Sequence, residues 1–177
     1  LGWRVLRPLQ AALRACQHLE IHQGPPVCDQ ERLELYHRWH AEREGTRGWD
    51  EAVLSERSYR MQFTFPHPAA LELTYVEPET NRIVGVALCD QTPSALSAIY
   101  FFYDPSYKAK SLGTANVLFQ IEIARQRGLA HVYLGYYVAG CPSLAYKARF
   151  GPQERLAQFV DLDTEPCWIP LEPPTDS

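Results

Sequence analysis

Four short blocks between Ser97 and Phe150 carry the residue types that do chemistry. The first, Tyr100-Phe101-Phe102-Tyr103-Asp104-Pro105, ends an aromatic run in a carboxylate. The second, Ser111-Leu112-Gly113-Thr114, places two hydroxyls around a glycine, and the third is Leu134-Gly135-Tyr136-Tyr137. The fourth runs from Cys141-Pro142 to Tyr146-Lys147-Ala148-Arg149-Phe150. Tyrosine hydroxyls donate hydrogen bonds, and tyrosine rings stack on single-stranded bases. An arginine grips a carboxylate with two N–H groups, and a lysine supplies a compact charge. Each residue also has a plainer reading. Asp104-Pro105 is turn chemistry, a single tyrosine is usually core, and Ser111 or Thr114 fits a helix N-cap. Lys147 and Arg149 fit a solvated helix face. Clustering is what gives the blocks weight.

Other constellations carry less. Cys16, His18, His22 and Cys28 lack the short C-x-x-C hairpin that organises a zinc site, so no metal site is expected. His37 and His40 share a helix with Trp39 and read as a partly solvated surface. Cys141 needs a partner base to act as a nucleophile, and it reads instead as packing or site lining. Five cysteines leave one unpaired in any disulfide scheme, which points to a reducing cytoplasm.

The elements that position these blocks follow from periodicity and punctuation. Residues 1–22 read as a short strand or turn followed by a helix, ended by Gly24-Pro25-Pro26. Asp29 then caps a helix through Leu33, Tyr36 and Trp39 that stops between Gly45 and Gly48. Residues 49–62 are weakly helical. Leu71 to Tyr75 and Ile83 to Cys89 form a hairpin about the Glu77–Asn81 turn, and Ala98 to Tyr103 is a further strand. Residues 114–127 are a helix with Val117, Leu118, Ile121 and Ala124 on one face and Gly128 as a left-handed cap. Val132 to Tyr137 reads as a buried strand, 142–148 as a short helix, and 161–177 as an acidic, Pro-rich tail after a domain over 1–160. This order describes an α/β fold with a mixed central sheet flanked by helices. It resembles the GNAT-like acyltransferase fold, in which substrate sits near a helix N-terminus whose free N–H groups and dipole favour anionic groups.

Taken together, the four blocks resemble the bacterial branch of the arginyl-tRNA–protein transferase family, the aspartate/glutamate leucyltransferases. That family carries a tyrosine-rich strand ending in Tyr-Asp-Pro, then Ser-Leu-Gly-Thr, Leu-Gly-Tyr-Tyr and Tyr-Lys-Ala-Arg-Phe in this order. The resemblance implies transfer of leucine or arginine from aminoacyl-tRNA to the α-amino group of a protein that begins with Asp or Glu, marking it for degradation. It implies Asp104, Tyr136 and Tyr137 as catalytic residues, Asp104 holding the amine and accepting its proton. Tyr100, Ser111, Gly113, Thr114, Tyr146, Lys147 and Arg149 are then substrate-binding, with Lys147 and Arg149 the cations for an acidic side chain. It also implies a Cys-rich N-terminal domain that binds a metal or cluster, which this chain lacks. No cofactor is therefore expected in the chain itself. The rivals are a coenzyme-A-dependent N-acetyltransferase on the same fold, a peptidoglycan-type aminoacyl-tRNA ligase, and a non-catalytic domain that binds protein N-termini or tRNA. Against the first of these, Ser111 to Thr114 holds one glycine where a pyrophosphate cradle uses several.

Composition bounds these readings. The chain has 177 residues, 46% of them hydrophobic and 21% charged, enough for one globular core and too apolar for disorder. No run approaches a membrane span. The formal charge of -4 argues at first against a nucleic-acid partner. From Gly151 onward, however, six acidic residues face one basic residue, so the body that holds the motifs is near neutral. The length reads as one catalytic domain and not a whole enzyme.

Overall fold

The computed structural model describes residues 7–48, 54–138 and 140–171. The reading of 1–6 as a strand or turn lies outside them. Two compact units are present: one from Pro8 to Leu134, and one comprising Arg7 and the described residues from Gly135 onward.

In the larger unit, helix α1 (Arg7–Cys16) leads into strand β1 (Glu20–Gly24), where the sequence predicts a helix continuing to residue 22. The difference has a tertiary cause: β1 pairs antiparallel with β2 (Ala70–Glu77), Ile21 opposite Tyr75, although its own residues are largely exposed and carry no alternation. Helix α2 (Gln30–Arg47) begins where expected. The Asp29 carboxylate accepts from the Arg32 N–H at 2.9 Å, and the helix ends at Gly48 in the left-handed region. Ser55 caps α3 (Glu56–Phe63) in the same way. Strand β2 turns through Asn81, at φ 53, into β3 (Arg82–Gln91), which pairs antiparallel with β4 (Ala95–Tyr103). Helix α4 (Leu112–Gln126) crosses to β5 (His131–Tyr133), which runs parallel to β4. The mixed sheet has the order β1-β2-β3-β4-β5.

The alternation of the strands splits the core into two layers. Leu73, Tyr75, Ala87 and Leu96 pack with Leu112, Ala115 and Ile123 of α4 and with Cys16 of α1. On the other face Val76, Val86, Leu88 and Phe102 pack with Leu33, Leu35, Tyr36 and Trp39 of α2 and with Tyr59 of α3. His40 lies in this second layer, stacked on Tyr36 with Nδ1 2.7 Å from Glu44, and is buried rather than on the expected solvated surface.

The expected strand Val132–Tyr137 is shorter. Strand β5 pairs only with Ala95–Ser97, and the chain leaves the sheet before Gly135, whose φ is 75°. In the smaller unit, α5 (Pro142–Ala145) runs into a 3-10 turn at Tyr146–Arg149, which fits the short helix expected there. Strand β6 (Glu154–Leu156) pairs antiparallel with β7 (Trp168–Pro170). The sequence reading assigned no strand to either segment.

Candidate functional site

The chemistry-bearing residues fall in two groups, one in each unit. In the larger unit they surround the end of β4 and the start of α4. Asp104 ends β4 and caps a 3-10 turn over Pro105–Tyr107, which is the turn role its Asp-Pro pair foretold. Its Oδ1 accepts from the Ser106 N–H at 3.0 Å and the Ser106 hydroxyl at 2.7 Å, and Oδ2 lies 3.6 Å from Arg38. Burial works against the Asp104 charge, but the two Ser106 donors, Arg38 and Arg82 outweigh it and hold the carboxyl below the ordinary aspartate value. A carboxylate stabilised this way holds a cation well and takes a proton poorly.

Ser111 stands at the N-cap position of α4 at φ 57, ψ 42, a left-handed conformation uncommon for a residue with a Cβ. Its side chain makes no capping bond. Its carbonyl instead accepts from the N–H groups of Thr114 at 2.9 Å and Ala115 at 3.0 Å. Among the described residues, the Leu112 and Gly113 N–H groups at the helix start meet no backbone carbonyl outside the helix. A Cβ built on Gly113 would meet only the Tyr103 ring, at 3.8 Å, and Gly113 has no positive φ. Neither packing nor backbone geometry demands a glycine there. Its absent side chain leaves room for another molecule to approach the helix start.

Tyr100 is placed elsewhere. It packs on Phe63 with ring centroids 5.1 Å apart and edge-on to Trp39 at 5.7 Å, in the α2 layer. Burial, and then the neighbouring Tyr36 hydroxyl, push its phenol well above the ordinary value. Tyr103, which the sequence reading did not single out, is the tyrosine beside Gly113. Strand alternation carries the signal that would have found it: Tyr103 shares its face with Phe101, and the two rings stack at 5.3 Å.

In the smaller unit, the Lys147 ammonium donates to the Tyr136 carbonyl at 2.9 Å. It lies 3.6 Å from the position a Cβ on Gly135 would take. Burial holds its pKa below the ordinary lysine value, and among the described residues it forms no ion pair. Tyr136 is 73% exposed, Tyr137 is half-buried, and Tyr146 meets Phe150 edge-on at 6.1 Å. Arg149 is exposed. Cys141 sits at the N-cap position of α5, its carbonyl accepting from Leu144 and Ala145.

Among the described residues no cluster of three or more His, Cys, Asp or Glu could hold a metal. The Cys16 thiol donates to the Lys110 carbonyl, His18 meets Glu77, His22 meets Glu20, and the Cys28 thiol approaches the Glu56 carbonyl. Each of the four thus has its own partner. No described helix is long and apolar enough to cross a membrane.

Residues 31–157, which include all four blocks, match the family model described as arginine-tRNA-protein transferase, C terminus. The chain belongs to this family. It is 33% identical to an aspartate/glutamate leucyltransferase of Helicobacter hepaticus, over 88% of this chain and 64% of that protein. A namesake in Ruegeria pomeroyi is 35% identical over 86% of this chain and 55% of its own length. Another, from Aeromonas hydrophila, is 32% identical over 93% and 78%. The chain thus spans less than two thirds of the first two relatives. Among solved structures, a possible acetyltransferase from Clostridium difficile superposes with a TM-score of 0.58 at 10% identity, covering 83% of this chain and 98% of that one. A GNAT family acetyltransferase from Staphylococcus aureus does so with 0.50 at 12%, covering 80% and 97%. At such identities the likeness establishes the GNAT fold of this family member and nothing of its substrate.

Proposed function

We propose that this chain is the catalytic part of a cytoplasmic aminoacyl-tRNA–protein transferase. It moves leucine, in preference to arginine, from tRNA to the α-amino group of proteins that begin with Asp or Glu, which directs them to degradation. The observation that carries this reading is Lys147: a half-buried ammonium seated on the Tyr136 carbonyl, within two of the family's blocks and without a carboxylate partner among the described residues. A partly buried cation of this kind favours a carboxylate ligand, the group that an acidic N-terminal residue brings.

Aminolysis of an ester needs little activation, because an α-amino group titrates near pH ~8 and is partly neutral at pH 7. The amine nitrogen attacks the ester carbon, the carbon–nitrogen bond forms, the carbonyl oxygen takes the negative charge, and collapse expels the terminal ribose oxygen of tRNA, which leaves as a hydroxyl. The Leu112 and Gly113 N–H groups at the start of α4 are the oxyanion donors assigned by this reading. Asp104, held anionic, orients the attacking amine, whose proton leaves to solvent or to the leaving oxygen. Within the smaller unit, Tyr136, Tyr137 and Tyr146 serve the terminal adenosine by stacking and hydrogen bonding. Ser111 and Thr114 shape the helix start, Tyr100 braces β4 from the α2 layer, and Arg149 is a second cation for the acceptor.

The test is to incubate the chain with Leu-tRNA or Arg-tRNA and peptides that begin with Asp, Glu or Ala, then to read peptide mass. The expected result is the gain of one leucine on the Asp and Glu peptides alone. Transfer of an acetyl group from acetyl-coenzyme A in place of leucine overturns the reading.

A further inference from the structure

We infer that the surface around the end of β4 is a seat for the phosphate backbone of the donor tRNA. This rests on the transferase reading and extends it to how the donor is held. Four exposed cations from three elements converge there: Arg38 of α2, Arg82 at the start of β3, and Lys108 and Lys110 after the 3-10 turn. The contacts between them make one surface. Arg38 meets Asp104 at 3.6 Å, the Arg82 charge bears on the same carboxylate, and Lys108 reaches Glu42 at 2.7 Å. Lys110 lies 4.3 Å from the centre of the Tyr107 ring, whose hydroxyl donates to Glu77.

Charge and depth are sorted in this surface. Three of its carboxylates, Glu42, Asp104 and Glu77, have side chains 21%, 19% and 15% exposed, whereas those of Arg38 and Lys108 are 40% and 64% exposed; Glu31, which accepts from the Ile83 N–H beside Arg82, is the exposed acid at the edge of this surface. Those three acids lie beneath and hold the cations outward, which is the arrangement that meets a polyanion. A fifth cation, Arg43, packs over the Trp39 ring at 4.0 Å and pairs with Glu42, so part of that carboxylate's charge is already met from below. This patch also explains how a chain of net charge -4 holds a nucleic acid: its excess acidity lies after Phe150 in sequence, and the cations are gathered at the end of the strand that carries Asp104. Phosphate contacts position a nucleic acid without reading its sequence, so the patch holds the donor and leaves the amino acid to be chosen elsewhere.

The experiment measures binding of uncharged leucine tRNA to the 177-residue chain across a salt series. The variants are Arg82→Gln, Lys108→Gln, Lys110→Gln and the triple; Arg38 is left in place because it touches Asp104. Each lost phosphate contact lowers the slope of log K against log salt by about 0.7 to 0.9, so the triple variant is expected to lose about 2 to 3 in slope and at least ~10-fold in affinity at low salt. Arg125→Gln, at the far end of α4, is expected to change neither. Unchanged slope and affinity in a triple variant that melts like the parent overturn the phosphate seat, even if leucine transfer persists. A parent chain that binds tRNA with this slope but transfers nothing to acidic peptides overturns the transferase reading and leaves the seat standing.

Discussion

The Lys147 ammonium and the Tyr136 carbonyl are joined at 2.9 Å, and the carbonyl carries no full charge to match the ammonium. Lys147 is therefore met by a dipole and, among the described residues, by no carboxylate. Lys147→Met is expected to lower kcat/KM on Asp and Glu peptides by roughly 10- to 100-fold, the range of a charged hydrogen bond worth ~1.5–3 kcal/mol. The loss falls mainly on KM, and peptide titrations at fixed Leu-tRNA measure it. Burial depresses the lysine pKa, so the ammonium is lost at lower pH than an ordinary lysine, and acceptor affinity is expected to fall early on the alkaline side. The stability sign is opposite: the penalty for folding a charged Lys147 is complete below its lowered pKa and fades as pH rises toward the ordinary lysine range. Lys147→Arg stays charged and is expected to abolish the alkaline fall.

Asp104 is held anionic by Ser106, Arg38 and Arg82 against the cost of its burial. A depressed folded-state pKa means that its contribution to stability is present above the ordinary aspartate value and is lost as pH falls through the lowered one. Asp104→Asn keeps an acceptor for Ser106 but removes the charge. Acid unfolding followed by circular dichroism is expected to be shallower below pH ~4, near the reference value for an aspartate. In the transfer reaction the same variant is expected to lower the rate without moving its rise toward the pKa of the acceptor amine. A shift of that rise would make Asp104 the titrating base and overturn its role as an anion held ready.

Gly113 separates folding from ligand approach. Its virtual Cβ meets the Tyr103 ring at an ordinary 3.8 Å, and its backbone is helical. Gly113→Ala is expected to raise stability by up to ~1 kcal/mol, read as a higher melting temperature, because alanine loses less backbone entropy in a helix. If a substrate approaches the helix start, the same methyl lowers transfer. Higher stability with unchanged kinetics would remove α4 from the site.

What the sequence made legible, and what it did not, follows from where each signal lies. Asp29 and Gly128 mark helix ends through chemistry within a few residues, whereas the Ser111 hydroxyl makes no capping bond, and the β2–β3 hairpin is announced by alternation around a polar turn. Strand β1 is an edge strand whose existence depends on Tyr75 and its neighbours some fifty residues away, so Glu20 to Gly24 carries no local pattern. Strands β6 and β7 define each other only once Arg155 meets Ile169. The four blocks located the candidate residues but not their facing. Tyr100 and Tyr103 look alike in a tyrosine-rich run, yet three residues apart on β4 they alternate faces, the first packing on Phe63 and Trp39 and the second reaching Gly113. The Tyr136 carbonyl under Lys147 is a main-chain partner, which no residue type encodes.

Ser111 supplies the last prediction, because its N-cap position is filled by a backbone device and not by its hydroxyl. Ser55 and Asp29 cap α3 and α2 through their side chains, so Ser55→Ala is expected to cost ~1 kcal/mol, the usual worth of a cap. Ser111→Ala is expected to cost close to nothing, since the Ser111 carbonyl, which accepts from Thr114 and Ala115, is retained. Ser111→Gly goes further and removes the Cβ that a left-handed φ of 57 disfavours, a strain of ~1–2 kcal/mol, so it is expected to raise the melting temperature. Thermal unfolding of the three variants side by side checks the order Gly above Ala, and Ala level with the parent. If the glycine variant is the more stable but the slower in transfer, the strained serine is part of how the helix start is presented to substrate. If both variants keep full transfer, the hydroxyl has no part in the reaction and Ser111 is only the turn that aims the Leu112 and Gly113 N–H groups.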